Sequence, residues 1–198
     1  MADFLGAAAI AFGAIFLAEF GDKSQLLILA FATRYPAQPV VLGVVLAATV
    51  IQGISVAVGA AAGEFLPPGV VGIVSGVAFL AVAAWTLRGD AEEENADEEA
   101  APDRRRLAGV ALVLAVAGAF IASELGDKTM LATFALAAQQ GALPTWIGST
   151  AGEVAANLVA VVIGRQAGDR LSPRVVRIGS AALFALAGVA LLVGALLA

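Results

Sequence analysis

Six long apolar stretches constrain this chain more than any other feature of its sequence. A helix needs roughly 20 apolar residues to cross the hydrocarbon core of a bilayer. Of the 198 residues, 61% are hydrophobic and only 14% are charged, which is typical of an integral membrane protein. The stretches cover residues 4–33, 39–62, 67–88, 107–138, 143–164 and 173–197. We therefore predict an all-α integral membrane protein with six transmembrane helices.

The second half of the chain repeats the first at an offset of 105 residues. AEFGDKSQLL (18–27) aligns with SELGDKTMLA (123–132), and GAAAGEFLPP (59–68) aligns with GRQAGDRLSP (164–173). Two matches at one offset indicate an internal repeat. Each copy holds three predicted spans, and because three is odd, the second copy enters the bilayer from the opposite side. We predict two inverted three-helix repeats, at residues 1–88 and 104–198, joined by an acidic linker at 89–103.

Arginine placement predicts the orientation. All nine arginines lie in or near the loops after the first, third and fifth spans, and arginine-rich loops stay on the cytoplasmic side. We therefore expect a multi-pass protein of the cell (inner) membrane, with both termini outside and the linker in the cytoplasm. Residues 90–103 carry eight of the sixteen acidic residues. We interpret this segment as a solvated tether, the rival being a loop that gathers cations.

The two aligned motifs place ionisable groups in the middle of apolar stretches. Such a group costs roughly 2.5–3.5 kcal/mol near the bilayer centre, so it is a functional candidate by default. Both lysines of the chain, Lys23 and Lys128, lie in these motifs. Each motif carries two negative charges and one positive charge, and the two together match one divalent cation. The candidate metal ligands are Glu19, Asp22, Glu124 and Asp127.

The local geometry of the motifs can be predicted from spacing. On a continuous helix, Glu19, Asp22 and Lys23 would share one face. A helix of about 30 residues would be roughly 45 Å long, which exceeds the hydrocarbon core and implies tilt or a break. Gly21 and Gly126 lie inside the motifs, where a helix can kink or unwind.

The residue inventory limits the chemistry. The chain has no cysteine and no histidine, so we expect oxygen ligands, which suit calcium, magnesium or manganese. Carboxylates that release a metal ion can take up protons, so metal release is coupled to proton uptake. No phosphate-binding glycine loop is present, so we expect a secondary transporter that is not an enzyme and has no cofactor. The expected partners are the lipid bilayer, divalent ions and protons, without nucleic acid.

Other interpretations of the motifs remain open at the level of sequence. The charged groups could be plain helical ion pairs in a membrane scaffold that does not transport. They could also receive the amine and carboxylate of small organic cations or amino acids. A channel is disfavoured, because the other spans lack a continuous polar lining.

EFGDKS and ELGDKT resemble the duplicated E-x-G-D-[KR]-[ST] signature of the GDT family of calcium/manganese and proton exchangers, which includes bacterial manganese exporters. The resemblance implies an antiporter that exports manganese and/or calcium from the cytoplasm through the four acids. It also implies that Lys23 and Lys128 tune the site. The family usually has glutamine after the Ser/Thr; Gln25 conforms and Met130 does not.

Further polar residues are candidates for supporting roles. Ser24, Thr129 and Gln25 adjoin the acids, and Met130 replaces an oxygen ligand with a softer thioether, which favours manganese over calcium if it faces the ion. Gln52 and Asn157 coincide under the repeat and could act as outer-shell oxygens. Glu153 is a predicted mid-span acid whose repeat partner is Ala48, and it could be a ligand, a proton carrier or a packing group.

Overall fold

The computed structural model describes residues 2–20, 22–88, 107–166 and 173–197. Every regular element within these ranges is an α-helix, which confirms the predicted all-α class. The acidic linker lies outside the described residues. The helices are α1 (Ala2–Glu19), α2 (Lys23–Arg34), α3 (Ala37–Phe65), α4 (Pro68–Arg88), α5 (Gly109–Glu124), α6 (Lys128–Gln140), α7 (Ala142–Gln166) and α8 (Pro173–Leu197).

The first and fourth apolar stretches each form two helices in place of one. α5 and α6 meet at an angle of 79°. Helix α3 and residues Gly69–Leu87 of α4 are each long and apolar enough to cross a bilayer, and α5 with α6 would count as a third, bent span. The described residues therefore contain two or three membrane-capable helices. The number of six spans and their inverted arrangement stay predictions.

Helices of the first half pack against helices of the second half. α1 packs on α7, α5 on α3, and α4 on α8. Glycines permit these close approaches: a β-carbon on Gly43 of α3 would lie 2.6 Å from Val116 of α5, and one on Gly148 of α7 would lie 2.9 Å from Ala11 of α1. Val116 and Ala11 are themselves 105 residues apart. The same contact therefore occurs at both positions related by the sequence repeat.

Two clusters of buried apolar side chains lie next to the two helix breaks. Glu19 directly follows Ala18, a member of the first cluster, and Glu124 lies one turn beyond Phe120, a member of the second. The first cluster, from α1, α4, α6 and α8, includes Ile15, Phe79, Val82, Leu136 and Phe184. The second, from α2, α3 and α5, includes Ile28, Phe31, Val44, Leu112 and Val116. The acids are therefore the first charged groups beyond tightly packed apolar side chains.

Candidate cation site

The charged motifs lie at the helix breaks. Glu19 is the last residue of α1 and Lys23 the first of α2, while Glu124 and Lys128 hold the same places in α5 and α6. Gly126 has φ +80°, a left-handed conformation that glycine adopts without steric cost. The expectation that Glu19, Asp22 and Lys23 share one face of a continuous helix is therefore wrong, because the helix ends between them. Gly21 and the side chain of Lys23 lie outside the described residues.

Three carboxylates from the two halves meet in the interior. One oxygen each of Glu19, Glu124 and Asp127 lie within 4.8 Å of one another. The residues are 0%, 1% and 3% exposed. We call them the three-carboxylate group. Oε1 of Glu19 and Oε1 of Glu124 are buried and have no hydrogen-bond partner. Buried acceptors without donors in an acidic group are what a cation requires of its ligands.

Two hydroxyl groups orient the glutamates in the same way. Ser24 Oγ donates to Glu19 Oε2 at 3.0 Å, and Thr129 Oγ1 donates to Glu124 Oε2 at 3.2 Å. Each donor is the second residue of the helix that follows the break, five residues after the acceptor. Each glutamate therefore has one oxygen fixed by a hydroxyl and the other open.

The fourth candidate acid is engaged differently. Asp22 forms an ion pair with Lys128, which belongs to the other motif. Both residues are buried. This pair links the two breaks directly.

Three supporting side chains, those of Gln25, Gln52 and Asn157, form hydrogen bonds with residues of α7. Gln25 Nε2 donates to the carbonyl of Ala156 at 3.2 Å, and Asn157 Nδ2 donates to the carbonyl of Glu153 at 3.0 Å. Gln52 Nε2 donates to Glu153 Oε2. The Gln25 and Gln52 contacts tie α2 and α3 of the first half to α7 of the second half, while the Asn157 contact lies within α7.

Met130 lies at the second break. Its Sδ accepts a hydrogen bond from the backbone N–H of Gly126 at 3.1 Å, on an exposed part of the break. The sulfur thus has a backbone partner, and its role as a metal ligand stays a prediction.

Thr133 is a polar residue that the sequence analysis did not single out. It is fully buried, and its hydroxyl has no hydrogen-bond partner. The sequence feature that could have identified Thr133 is its spacing of four residues from Thr129, which places both side chains on one face of α6. Thr133 therefore extends the polar face that begins at the break.

Comparison with known proteins places this arrangement in a family. A model of the family described as divalent cation/proton antiporter GDT1 matches residues 7–94 and 112–198, one segment in each half of the chain. The chain belongs to the GDT1 family. This confirms the resemblance carried by the two motifs. Members of the family are membrane transporters of divalent cations and protons, and they are not enzymes.

Named relatives cover most of the chain. A Vibrio cholerae protein named "Putative manganese exporter" is 32% identical over 185 residues, covering 92% of this chain and 88% of its own length. A GDT1-like protein of Synechocystis is 29% identical over 183 residues, covering 86% and 88%. Protein PAM71, chloroplastic, of Arabidopsis thaliana is 31% identical over 199 residues, covering 89% of this chain and 54% of its own length. No solved structure matches the chain.

Proposed function

We propose that this GDT1-family protein is a secondary active antiporter that exports manganese and/or calcium from the cytoplasm in exchange for protons. The observation that carries the proposal is the three-carboxylate group, in which buried acids from both halves bring oxygens within 4.8 Å of one another. The Vibrio cholerae relative, of which 88% is covered, is named "Putative manganese exporter", and this supports manganese as one substrate.

The charges of the two motifs suit a divalent ion. Glu19, Asp22, Glu124 and Asp127 contribute four negative charges, and Lys23 with Lys128 contributes two positive ones. The ion pair between Asp22 and Lys128 neutralises part of this charge within the protein. The remaining carboxylates bind the metal when ionised and take up protons when it leaves, so metal and protons occupy the site in turn.

The proposed transport cycle uses two inverted three-helix repeats around a site near the bilayer midplane. The equivalent packing of Gly43 on Val116 and of Gly148 near Ala11 supports this symmetry. The arginine distribution supports a cytoplasmic linker and external termini. In such a protein, rocking of one repeat against the other exposes a fixed site to each side alternately.

Reconstitution tests the proposal. The full chain is placed in vesicles with a pH-sensitive dye inside, and manganese, calcium, magnesium or a small organic amine is added outside. We expect manganese or calcium to drive proton movement, and Glu124→Gln to abolish it. Metal movement without proton movement would contradict antiport, and a response to the amine alone would favour an organic-cation exporter.

A further inference from the structure

Glu153 is a buried acid that the two motifs do not contain. It lies in α7, is 0% exposed, and is not part of the three-carboxylate group. Its repeat partner in α3 is Ala48, which is also fully buried. A carboxylate therefore enters the protein interior from one half with no counterpart in the other.

A residue of the other half anchors this carboxylate. Gln52 of α3, itself 1% exposed, donates its amide hydrogen to Glu153 Oε2. Glu153 Oε1 is buried and has no hydrogen-bond partner. Within the described part of the chain, no basic side chain pairs with Glu153. Burying a charged carboxylate is costly, so a buried acid with one open oxygen is a candidate ligand for a cation.

The surroundings of Glu153 are rich in acceptors. Its carboxylate interacts electrostatically with those of Glu19, Glu124 and Asp127, so the four acids share one region of the interior. The amide oxygens of Gln52 and Asn157 are buried acceptors that also lack partners. Asn157 lies one turn from Glu153 and donates its amide to the Glu153 carbonyl, which directs both side chains to the same face of α7.

We propose that Glu153 and Gln52 form a second oxygen subsite for the transported divalent cation, beside the three-carboxylate group. The cation then has two adjacent positions, one shared by the motifs and one on the α7 side. Two adjacent binding positions allow an ion to be bound and still to leave, a requirement that ion channels also meet with several sites. This inference rests on the proposed function, since it assigns a further place to the same ion.

A simple structural role makes a different prediction. If the Gln52–Glu153 hydrogen bond served only to join α3 and α7, an amide at position 153 would replace the carboxylate well, because it has the same shape and can accept the same bond. Glu153→Gln therefore separates charge from packing. Glu64→Gln is the matched control, since Glu64 is an exposed acid at the end of α3.

The test measures manganese binding to the purified full chain through the resonance signal of free Mn²⁺, together with KM and maximal flux in vesicles. We expect Glu153→Gln to raise both Kd and KM for Mn²⁺ by about tenfold or more, and Glu64→Gln to leave them unchanged. Gln52→Met, which removes the anchor but keeps the charge, should raise Kd by a smaller factor.

Unchanged Kd and KM in folded Glu153→Gln, with or without a lower maximal flux, would overturn the proposal. If Glu153→Gln fails to fold, as judged by gel filtration, a wild-type Kd in Gln52→Met would overturn it equally. The proposed function fails separately: wild-type vesicles would then show no metal-driven proton movement. Loss of exchange in Glu124→Gln beside wild-type behaviour in Glu153→Gln would sink the subsite alone.

Discussion

The glutamates of the two motifs are held by one hydroxyl each, from Ser24 and Thr129. A hydrogen bond to a charged acceptor contributes about 1.5–3 kcal/mol. We expect Ser24→Ala and Thr129→Ala each to raise the KM for manganese by about ten- to a hundredfold, because the carboxylate loses its orientation. Ser123→Ala is the control, since that hydroxyl donates only to the Phe120 carbonyl of its own helix at 2.8 Å. Equal effects in all three variants would contradict the orienting role.

Neutralising the acids of the motifs should have a larger effect. We expect Glu19→Gln, Asp22→Asn, Glu124→Gln and Asp127→Asn each to reduce exchange to near background, measured as metal-driven proton flux. Glu19→Gln and Glu124→Gln should still insert, because burying a neutral amide costs less than burying a charged carboxylate. Wild-type flux in any two of these variants would refute a shared site.

Sequence alone predicted which acids are candidates but not how they pair. The cost of isolated charge in apolar surroundings was enough to select four acids, because such groups must find partners or a ligand: Glu19, Asp22, Glu124 and Asp127. It could not show that Asp22 pairs with Lys128 of the other motif. That choice depends on which ends of the broken helices face each other, and residue spacing within one motif does not contain this information.

At the scale of single elements, the break between α5 and α6 determines where the charged groups lie. The length of the apolar stretch predicted tilt or a break, and sequence could not choose between them. Gly126, at φ +80°, accommodates the sharp turn. The break lies between Glu124 and Asp127, whose carboxylates meet in the three-carboxylate group.

Gly126→Ala tests this break. There is space for a methyl group, since nothing lies within 4 Å of the added β-carbon, but the left-handed conformation costs about 1–2 kcal/mol with a side chain. We expect a several-fold loss of flux and lower thermal stability. Gly118→Ala is the control, in the interior of α5 with the same open space. It should be neutral or stabilising by about 0.5–1 kcal/mol, and a similar loss there would contradict the argument.

The contact between α3 and α6 depends on a second glycine. A β-carbon at Gly59 would collide with the backbone of Phe134. Gly59→Leu should therefore separate the helices and lower the melting temperature, since overpacking costs about 1–3 kcal/mol. At Gly6 nothing lies within 4 Å, so Gly6→Leu should fold normally. Equal melting temperatures for the two variants would show that α3 and α6 need not approach closely.

At the scale of the whole molecule, the two halves depend on each other. α1 and α5 each pack on a helix of the opposite half. The 105-residue repeat predicted that the halves are equivalent, and recurring glycine contacts agree with it. Their asymmetry could be noticed in the sequence at Glu153, but its partner Gln52 could be assigned only once α3 and α7 were seen together.

The linker between the halves gives a test at this scale. Replacing residues 91–100 with a Gly/Ser sequence of equal length should leave manganese flux within about twofold if the segment only tethers the repeats. If the segment is only a tether, its length matters and its side chains do not, because they contact neither repeat. A large rise in KM at low salt, absent at high salt, would show that the acidic segment gathers cations.

The ion pair between Asp22 and Lys128 has a consequence for biogenesis. The two residues are 106 positions apart. At a synthesis rate of about 5–20 residues per second, Asp22 is translated roughly 5–20 seconds before its partner Lys128. The newly made first half must therefore hold Glu19 and Asp22 without the groups that later surround them. The site can therefore assemble only after the second broken helix has been made.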